Sequence, residues 1–586
     1  ETFNLEQIDI LRGSGSMLFG RGATGGVINQ VSKKPYLVDR NEVALTAGSF
    51  DYKRIVADLN KVLWQDAALR VNLMGTDTSS FRDAVDQKRV GVAPSLRIGT
   101  GTANEFLLAY YYLKDDNVPD YGVPYFNGKP ANVPMQRFYG MANADYERNE
   151  ISIGTATYIH RFNKDTELRT ALRGAHYQRD LWAVAPRLIT TPTPGAVLAT
   201  DATVADGTAS VNRGRQARGG DEKTLTSQTD FTTKLNAAGM THELLTGLEL
   251  AREKAGRWSN GNAPVGSTTV VANPRTTLGN PDPFVPLPAD YLNITRVPQA
   301  SYEGRTVGLY AQDVIQFAPA WKLLLGARYD DFKADYDRIA PLGDLSRTDR
   351  VWSYRTGLMF QPGGEVNYYL SYGTSFNPSA ELYQLDDRSA NTPPEKSRNI
   401  ELGAKWDLAQ GNVSLRTSLS RSEKTNERNT DLANPTVFLL SGKRHTDALE
   451  FEAAGRITPK SEVFGALALM RAKVDQASGQ QGPNQGKVPV NTPDYTVSLW
   501  STYKLGHWKI GGGIEGVGER YANALNTTVV PAYVRVDALV EYVMDKISVK
   551  LNLLNLLNKD YYEGVYTGHV VPGTKRAAQL TLAARF

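Results

Sequence analysis

Apolar and polar residues alternate with a period of two along most of this chain, the spacing of strands with one wet and one apolar face. Ala67, Leu69, Val71 and Leu73 share a face opposite Arg70 and Asn72. Val413, Leu415 and Leu419 oppose Ser414, Arg416, Ser418 and Ser420. Leu449, Phe451, Ala453 and Ile457 oppose Glu450, Glu452 and Arg456, and Ile547, Val549, Leu551 and Leu553 oppose Ser548, Lys550 and Asn552. At the end of the sequence, Ala578, Leu580, Leu582, Ala584 and Phe586 share one face, with Gln579, Thr581 and Arg585 on the other. Such a strand suits a closed barrel in a bilayer, where alternate residues meet lipid and an aromatic sits at the interface. About 22 strands follow between Asn41 and Phe586, each near the roughly 10 residues a tilted membrane strand needs.

The connections sort by parity. Short turns are expected near Gly99–Ala103, Arg161–Asp165, Ala238–Thr241, Ala318–Ala320, Gln361–Glu365, Ala409–Gly411, Thr458–Lys460 and Lys504–His507. Between them come long segments, Lys114–Glu147, Leu181–Gly220, Lys254–Gly304, Ala334–Arg350, Asn377–Pro394, Lys424–Arg444 and Val474–Pro493. An up-and-down barrel with tight periplasmic turns and long external loops produces this alternation, whereas a soluble sandwich or propeller has no reason to. The expected fold is therefore all-β, a 22-stranded antiparallel transmembrane β-barrel over residues 41–586. Residues 1–40 do not fit a barrel strand. They hold two extended runs, Gln7–Leu11 and Val27–Val31, around a glycine-dense centre. A barrel this wide needs a lumen plug, and residues 1–40 are expected to be the carboxy-terminal part of one.

Composition narrows the class. Mean hydropathy is −0.38, a value that misleads for barrels because lumen-facing polar residues dilute the lipid face. The chain has no cysteine, which excludes thiolate metal sites and cysteine nucleophiles. A net charge of +4, from 66 Lys and Arg against 62 Asp and Glu, gives no argument for nucleic acid. Its six histidines, His160, His176, His242, His445, His507 and His569, lack metal-ligand spacing. Gly20-Arg-Gly22-Ala-Thr-Gly25 is a literal GxGxxG, but the β-branched run Val27-Ile-Asn-Gln-Val31 follows where a dinucleotide site needs a helix. Turn formation with positive φ explains those glycines better. No hydrolase elbow is present, so an outer-membrane hydrolase has no supporting motif.

The stretch Ile8-Asp-Ile-Leu-Arg-Gly13-Ser-Gly-Ser-Met-Leu-Phe-Gly20-Arg-Gly-Ala-Thr-Gly-Gly26-Val-Ile-Asn29, then Val31-Ser-Lys-Lys-Pro35, resembles the second half of the plug of TonB-dependent outer-membrane receptors. The likeness is greatest to their ferric-siderophore branch. Asn552-Leu-Leu-Asn555-Leu-Leu-Asn558-Lys-Asp-Tyr561-Tyr resembles their signature before the last strand. Tyr310-Ala-Gln-Asp313, Ala327-Arg-Tyr-Asp330 and Ser371-Tyr-Gly-Thr-Ser-Phe-Asn-Pro378 resemble mid-barrel segments. The resemblance implies an outer-membrane importer of a ferric siderophore, with no cofactor of its own, energised by TonB with ExbB and ExbD. The amino-terminal plug half and TonB box would precede Glu1. It implies a monomer among outer-membrane lipid and lipopolysaccharide, without nucleic acid. Hydroxamate complexes, haem and cobalamin are alternative cargoes, and a passive diffusion porin is the alternative from another class.

Two groups of site residues are expected. The resemblance pairs a plug arginine with barrel glutamates. Strand parity turns Ile400, Leu402, Leu449 and Phe451 to lipid and so leaves Glu401 and Glu450 facing the lumen, where Arg12 would meet them. On the long segments, aromatic and basic residues suit an anionic, flat-edged ferric catecholate: Tyr121, Tyr125, Phe126, Arg137 and Tyr139, then Trp182, Arg187, Arg213, Arg215, Arg218 and Trp258, then Phe376, Tyr383 and Arg388. Residue by residue the alternative is an aromatic of the interfacial girdle or a surface arginine that binds lipopolysaccharide phosphates.

Overall fold

The computed structural model describes residues 1–339, 343–380, 392–430 and 438–586. Among these, 22 strands close into one antiparallel barrel, from Arg40–Gly48 to Ala577–Arg585. Each strand bonds to its neighbours in sequence. Closure comes from the last strand returning to the first, with Glu42 opposite Arg585 and Gly48 opposite Gln579. The sheet therefore has no free edge, as a bilayer demands of its backbone.

Side-chain exposure confirms the parity reading. Leu45, Ile55, Leu73, Leu108, Leu225, Leu250, Leu309, Leu370, Leu402, Leu419 and Leu580 are exposed on the outer wall. Aromatic residues gather near the short turns, where Trp321 lies 4.6 Å from Phe360 and Trp508 lies 4.8 Å from Tyr542. That is the girdle position for rings with one apolar and one wet edge. The expected short turns fall between strands, and glycines at positive φ, such as Gly239 at 76° and Gly411 at 82°, allow their tight reversal.

The long segments are corrected. Residues 181–188 and 210–220, read as loop, continue the ladder of Thr166–Leu188 with Ser210–Ala237 as far as Leu188 opposite Val211. Likewise Met240–Pro264 and Ile294–Ala318 remain paired well into the segment read as Lys254–Gly304. A strand of 28 residues is about 90 Å long, far beyond what a bilayer requires. Past the apolar band both faces meet water or other loops, so hydropathy no longer alternates and the strand becomes invisible to the pattern. The loops beyond pack into a cap, with Val123, Tyr139, Val211, Leu278, Val530 and Val570 in one buried cluster.

Residues 1–39 lie inside the lumen. Leu5–Arg12 pairs with Gly26–Ser32 as a hairpin, one or two residues longer at each end than the runs read from sequence. Between them stand one helical turn, Ser16–Phe19, and the glycine loop. A strand follows the GxGxxG, with Gly20 and Gly22 at φ 72° and 80°, as turn glycines require. The segment seats against the wall through Met17, whose Cε would lie 2.7 Å from a Cβ placed on Gly326. Ser375 Oγ accepts from Ser16 N at 3.1 Å and donates to Ala23 O at 2.7 Å.

Candidate functional site

Above the glycine loop, toward the long-loop end, the inner wall opens into a cavity of about 670 Å³. Of its polar lining, Asp115, Asn149, Tyr177, Arg179, Arg218, Glu222 and Arg257 face inward by strand parity, while Gln178 belongs to the outer face. Three guanidinium groups and two carboxylates line it, and Glu147 stands beside them. Arg179 is held by Glu147 at 2.7 Å, and Arg257 donates to Tyr336 Oη at 3.4 Å. Asp115 accepts from Asn149 Nδ2 at 2.9 Å. Arg218 is exposed and makes no ion pair among the described residues. An accessible guanidinium beside a tyrosine ring suits a delocalised anion with aromatic edges.

The floor of this cavity is coupled to the lumen segment. Arg21, in the glycine loop, pairs with Glu253, and its guanidinium stands 4.4 Å over the Phe332 ring. Glu253 lies opposite Thr224, one inward step below Glu222 of the cavity lining. On the neighbouring wall Arg328 is fully buried, bonded to Asp330 at 2.8 Å and to Glu249 at 3.0 Å. Lower down, Arg12 donates to Glu450 at 2.9 Å and also pairs with Glu452. Glu401 faces the lumen as its parity requires, but it accepts the Tyr369 hydroxyl at 2.5 Å. Arg12 therefore meets the glutamate pair of a single strand, Glu450 and Glu452, rather than bridging to Glu401.

Most loop residues singled out from sequence hold the cap together. Tyr139 is 1% exposed and donates to Leu278 O at 2.9 Å, where Arg137 also donates at 3.3 Å. Arg213 is fully buried and donates to Tyr139 O at 2.8 Å and Asp282 O at 2.5 Å. Trp182 is buried, edge-on to Tyr291 at 5.5 Å and covered by Arg215. Phe126 packs on the buried loop cluster, and Phe376 is buried with its carbonyl accepting from Gly22 N at 3.0 Å. Tyr121 lies 5.2 Å from His569, Arg187 donates to His569 Nδ1 at 2.8 Å, and Tyr125 sits in the small loop sheet beside them. Trp258 covers Gly219 on the outer wall, with Arg296 4.4 Å over its ring, and so points away from the lumen. Tyr383 and Arg388 lie outside the described residues. Of the cavity residues only Arg218 was singled out from sequence: Asp115 and Arg257 were missed because parity was not carried into the segments taken for loops, whereas Asn149, Tyr177, Arg179 and Glu222 lie just outside those segments, on strand ends where both faces are polar.

One buried carboxyl gives the cap a pH dependence. Asp145 is 4% exposed and accepts from Met141 N at 2.9 Å. Burial pushes it up to about 7, against the opposing pull of the Met141 and Val184 amides and of Arg213. The folded loop thus binds the proton more tightly than the unfolded chain, whose carboxyl stays near 3.8. Its contribution to stability is complete below that value and is lost as pH rises through about 7. Hydrogen exchange over residues 139–146, corrected for intrinsic rate, should be slower at about pH 5.5 than at about pH 8.5. Equal protection at both would show that Asp145 does not control the loop.

A closed barrel of this width, with an apolar outer band, an aromatic girdle and a charged lumen filled by its own chain, defines a large outer-membrane receptor barrel. Residues 94–556 match the family described as TonB dependent receptor-like, beta-barrel, and the chain belongs to the TonB-dependent receptors of the outer membrane. It is 32% identical to the probable TonB-dependent receptor BfrD of Bordetella pertussis, over 99% of this chain and 81% of that one. It is 26% identical to the catecholate siderophore receptor Fiu of Escherichia coli K12, over 100% and 81% of the two chains. Among solved structures, the siderophore receptor PiuA from Acinetobacter baumannii superposes with a TM-score of 0.92 at 26% identity, covering 100% of this chain and 87% of that one.

Proposed function

We propose that the chain captures a ferric siderophore of the catecholate type and imports it with energy from TonB, ExbB and ExbD. The carrying observation is the cavity beside Arg21: it holds the accessible Arg218 and the Tyr177 ring, and its Glu222 lies next to the Arg21–Glu253 pair of the loop that would have to move. The names of Fiu and PiuA support the same cargo class. Residues 1–40 act in this reading as part of the plug and residues 41–586 as the barrel, with Arg12 and Glu450 fixing their register. The protein needs no cofactor, since iron arrives inside its ligand and no bond is made or broken. It works as a monomer, with lipopolysaccharide at the outer wall.

The test is tryptophan fluorescence quenching by ferric catecholates, ferric hydroxamates and haem, using the barrel in detergent micelles. Saturable quenching by the catecholates in the nanomolar to micromolar range is expected, with at least about tenfold weaker response to the neutral hydroxamates. A tighter response to haem, or none to any ferric complex, would defeat the assignment and leave the barrel standing.

A further inference from the structure

Where Val123–Phe126 pairs with His569–Pro572, the loop cap encloses cationic and donor groups that have no anionic partner among the described residues. Arg520 is 6% exposed. Its Nη2 donates to Tyr562 O at 2.7 Å and its Nη1 reaches Glu563 O and Asn491 Oδ1 at 3.4 Å, while Nε–H has no acceptor. Arg187 donates through Nη1 to Pro186 O and to His569 Nδ1, both at 2.8 Å. Neither guanidinium meets a carboxylate among the described residues. The nearby Glu563 is already engaged by Tyr561 at 2.9 Å and Arg535 at 3.6 Å, and Asp120 by Arg82 at 2.7 Å.

Two further donors complete the set. Tyr125 stands within electrostatic reach of both arginines, and its enclosed hydroxyl has no hydrogen-bond partner among the described residues. His569 is 5% exposed; because its Nδ1 accepts from Arg187, the proton lies on Nε2, which also lacks an acceptor. Burial and the adjacent Arg187 depress this imidazole to about 4, so it stays a neutral donor. Burial likewise lowers both arginines, with no carboxylate to oppose it. Enclosed charges and unmet donors on this scale call for a counter-ion. Ordered water would meet the donors but leave the two charges uncompensated.

We propose that this cluster of donors binds a small oxyanion of the phosphate or sulfate kind, held by Arg187, Arg520, Tyr125 and His569. The anion joins the strand end at Arg187 to three separate loop segments, so it braces the cap that stands over the cavity. The site is independent of the ferric-siderophore reading and can be tested without any iron complex.

Crystals grown from the detergent-solubilised protein and soaked in selenate should show an anomalous peak among these four side chains. In solution, phosphate titrated at constant ionic strength should raise the Tm saturably by about 2–4 °C. Arg520→Gln should abolish that rise, and Tyr125→Phe, which removes only the hydroxyl, should shift its midpoint by about 3- to 10-fold. Lys223→Gln, on the outer wall, should leave it unchanged. A peak without a phosphate-specific rise would mean an adventitious ion only. No peak, or an undiminished rise in both Arg520→Gln and Tyr125→Phe, would overturn the assignment.

Discussion

Arg218→Glu is expected to weaken binding of a ferric tris-catecholate by about 10- to 1,000-fold. The complex carries three negative charges, and the substitution changes the wall by two. At about 8 Å and a water-rich dielectric each charge pair contributes roughly 0.7 kcal/mol before screening, and salt reduces the sum to about 1.5–4 kcal/mol. Arg218 is the informative position because it makes no ion pair among the described residues, so its loss leaves none of their carboxylates unpaired. Arg179 is committed to Glu147, and Arg257 to Tyr336, so changing them would also disturb the wall. A neutral ferric hydroxamate should shift less than about threefold in the same variant. An equal loss for both complexes would mean damage to the cavity, and no loss for either would remove it as the binding site. Raising salt should weaken catecholate binding to the wild type and narrow its gap to Arg218→Glu.

The barrel was legible because lipid imposes a single rule on every strand that crosses it. Leu402 and Leu419 must face out, so Glu401 and Ser420 must face in, and one residue of slip would invert the set. The same rule placed Glu450 in the lumen, and the resemblance supplied Arg12 as its partner. It could not choose between Glu401 and Glu452, since both face inward and the choice depends on where Leu5–Arg12 lies along the lumen. The ligand cavity was legible only in part. Tyr177 and Arg179 stand at the polar end of a strand and Arg257 on a strand extension, and there both faces are polar, so nothing in their hydropathy marks a strand. Aromatic and basic composition pointed instead to Tyr139, Trp182 and Arg213, which are the kinds of residue a water-exposed cap also needs for its own core. Composition does not separate those two uses. Continuing the parity of Leu248 and Leu250 to Arg257 would have turned Arg257 inward and Trp258 outward from the sequence alone.

Arg328→Met should destabilise the barrel by about 3–5 kcal/mol, the cost of leaving a buried charge unpaired. Arg328 is fully buried and forks onto Asp330, with Nε 2.9 Å from each carboxylate oxygen, while Nη2 also reaches Glu249 at 3.0 Å. Methionine fills the stem but supplies no charge, and the Asp330 side chain, 2% exposed, has little water to turn to. The partner of the loss is testable. Adding Asp330→Asn to Arg328→Met should recover more than half of the deficit in the urea unfolding midpoint, because it removes the stranded charge. Failure to recover any of it would assign the effect to packing over Tyr310, 5.2 Å from the guanidinium. The consequence should also reach the lumen segment. Gly20 passes so near this guanidinium that a Cβ there would lie 2.9 Å from Nη2, which makes Arg328 part of the bed on which the glycine loop rests. Proteolysis between residues 20 and 25 should therefore rise in Arg328→Met at denaturant levels where the barrel is still folded. If that loop stays as protected as in the wild type, Arg328 stabilises the wall alone and takes no part in seating the segment beneath the cavity.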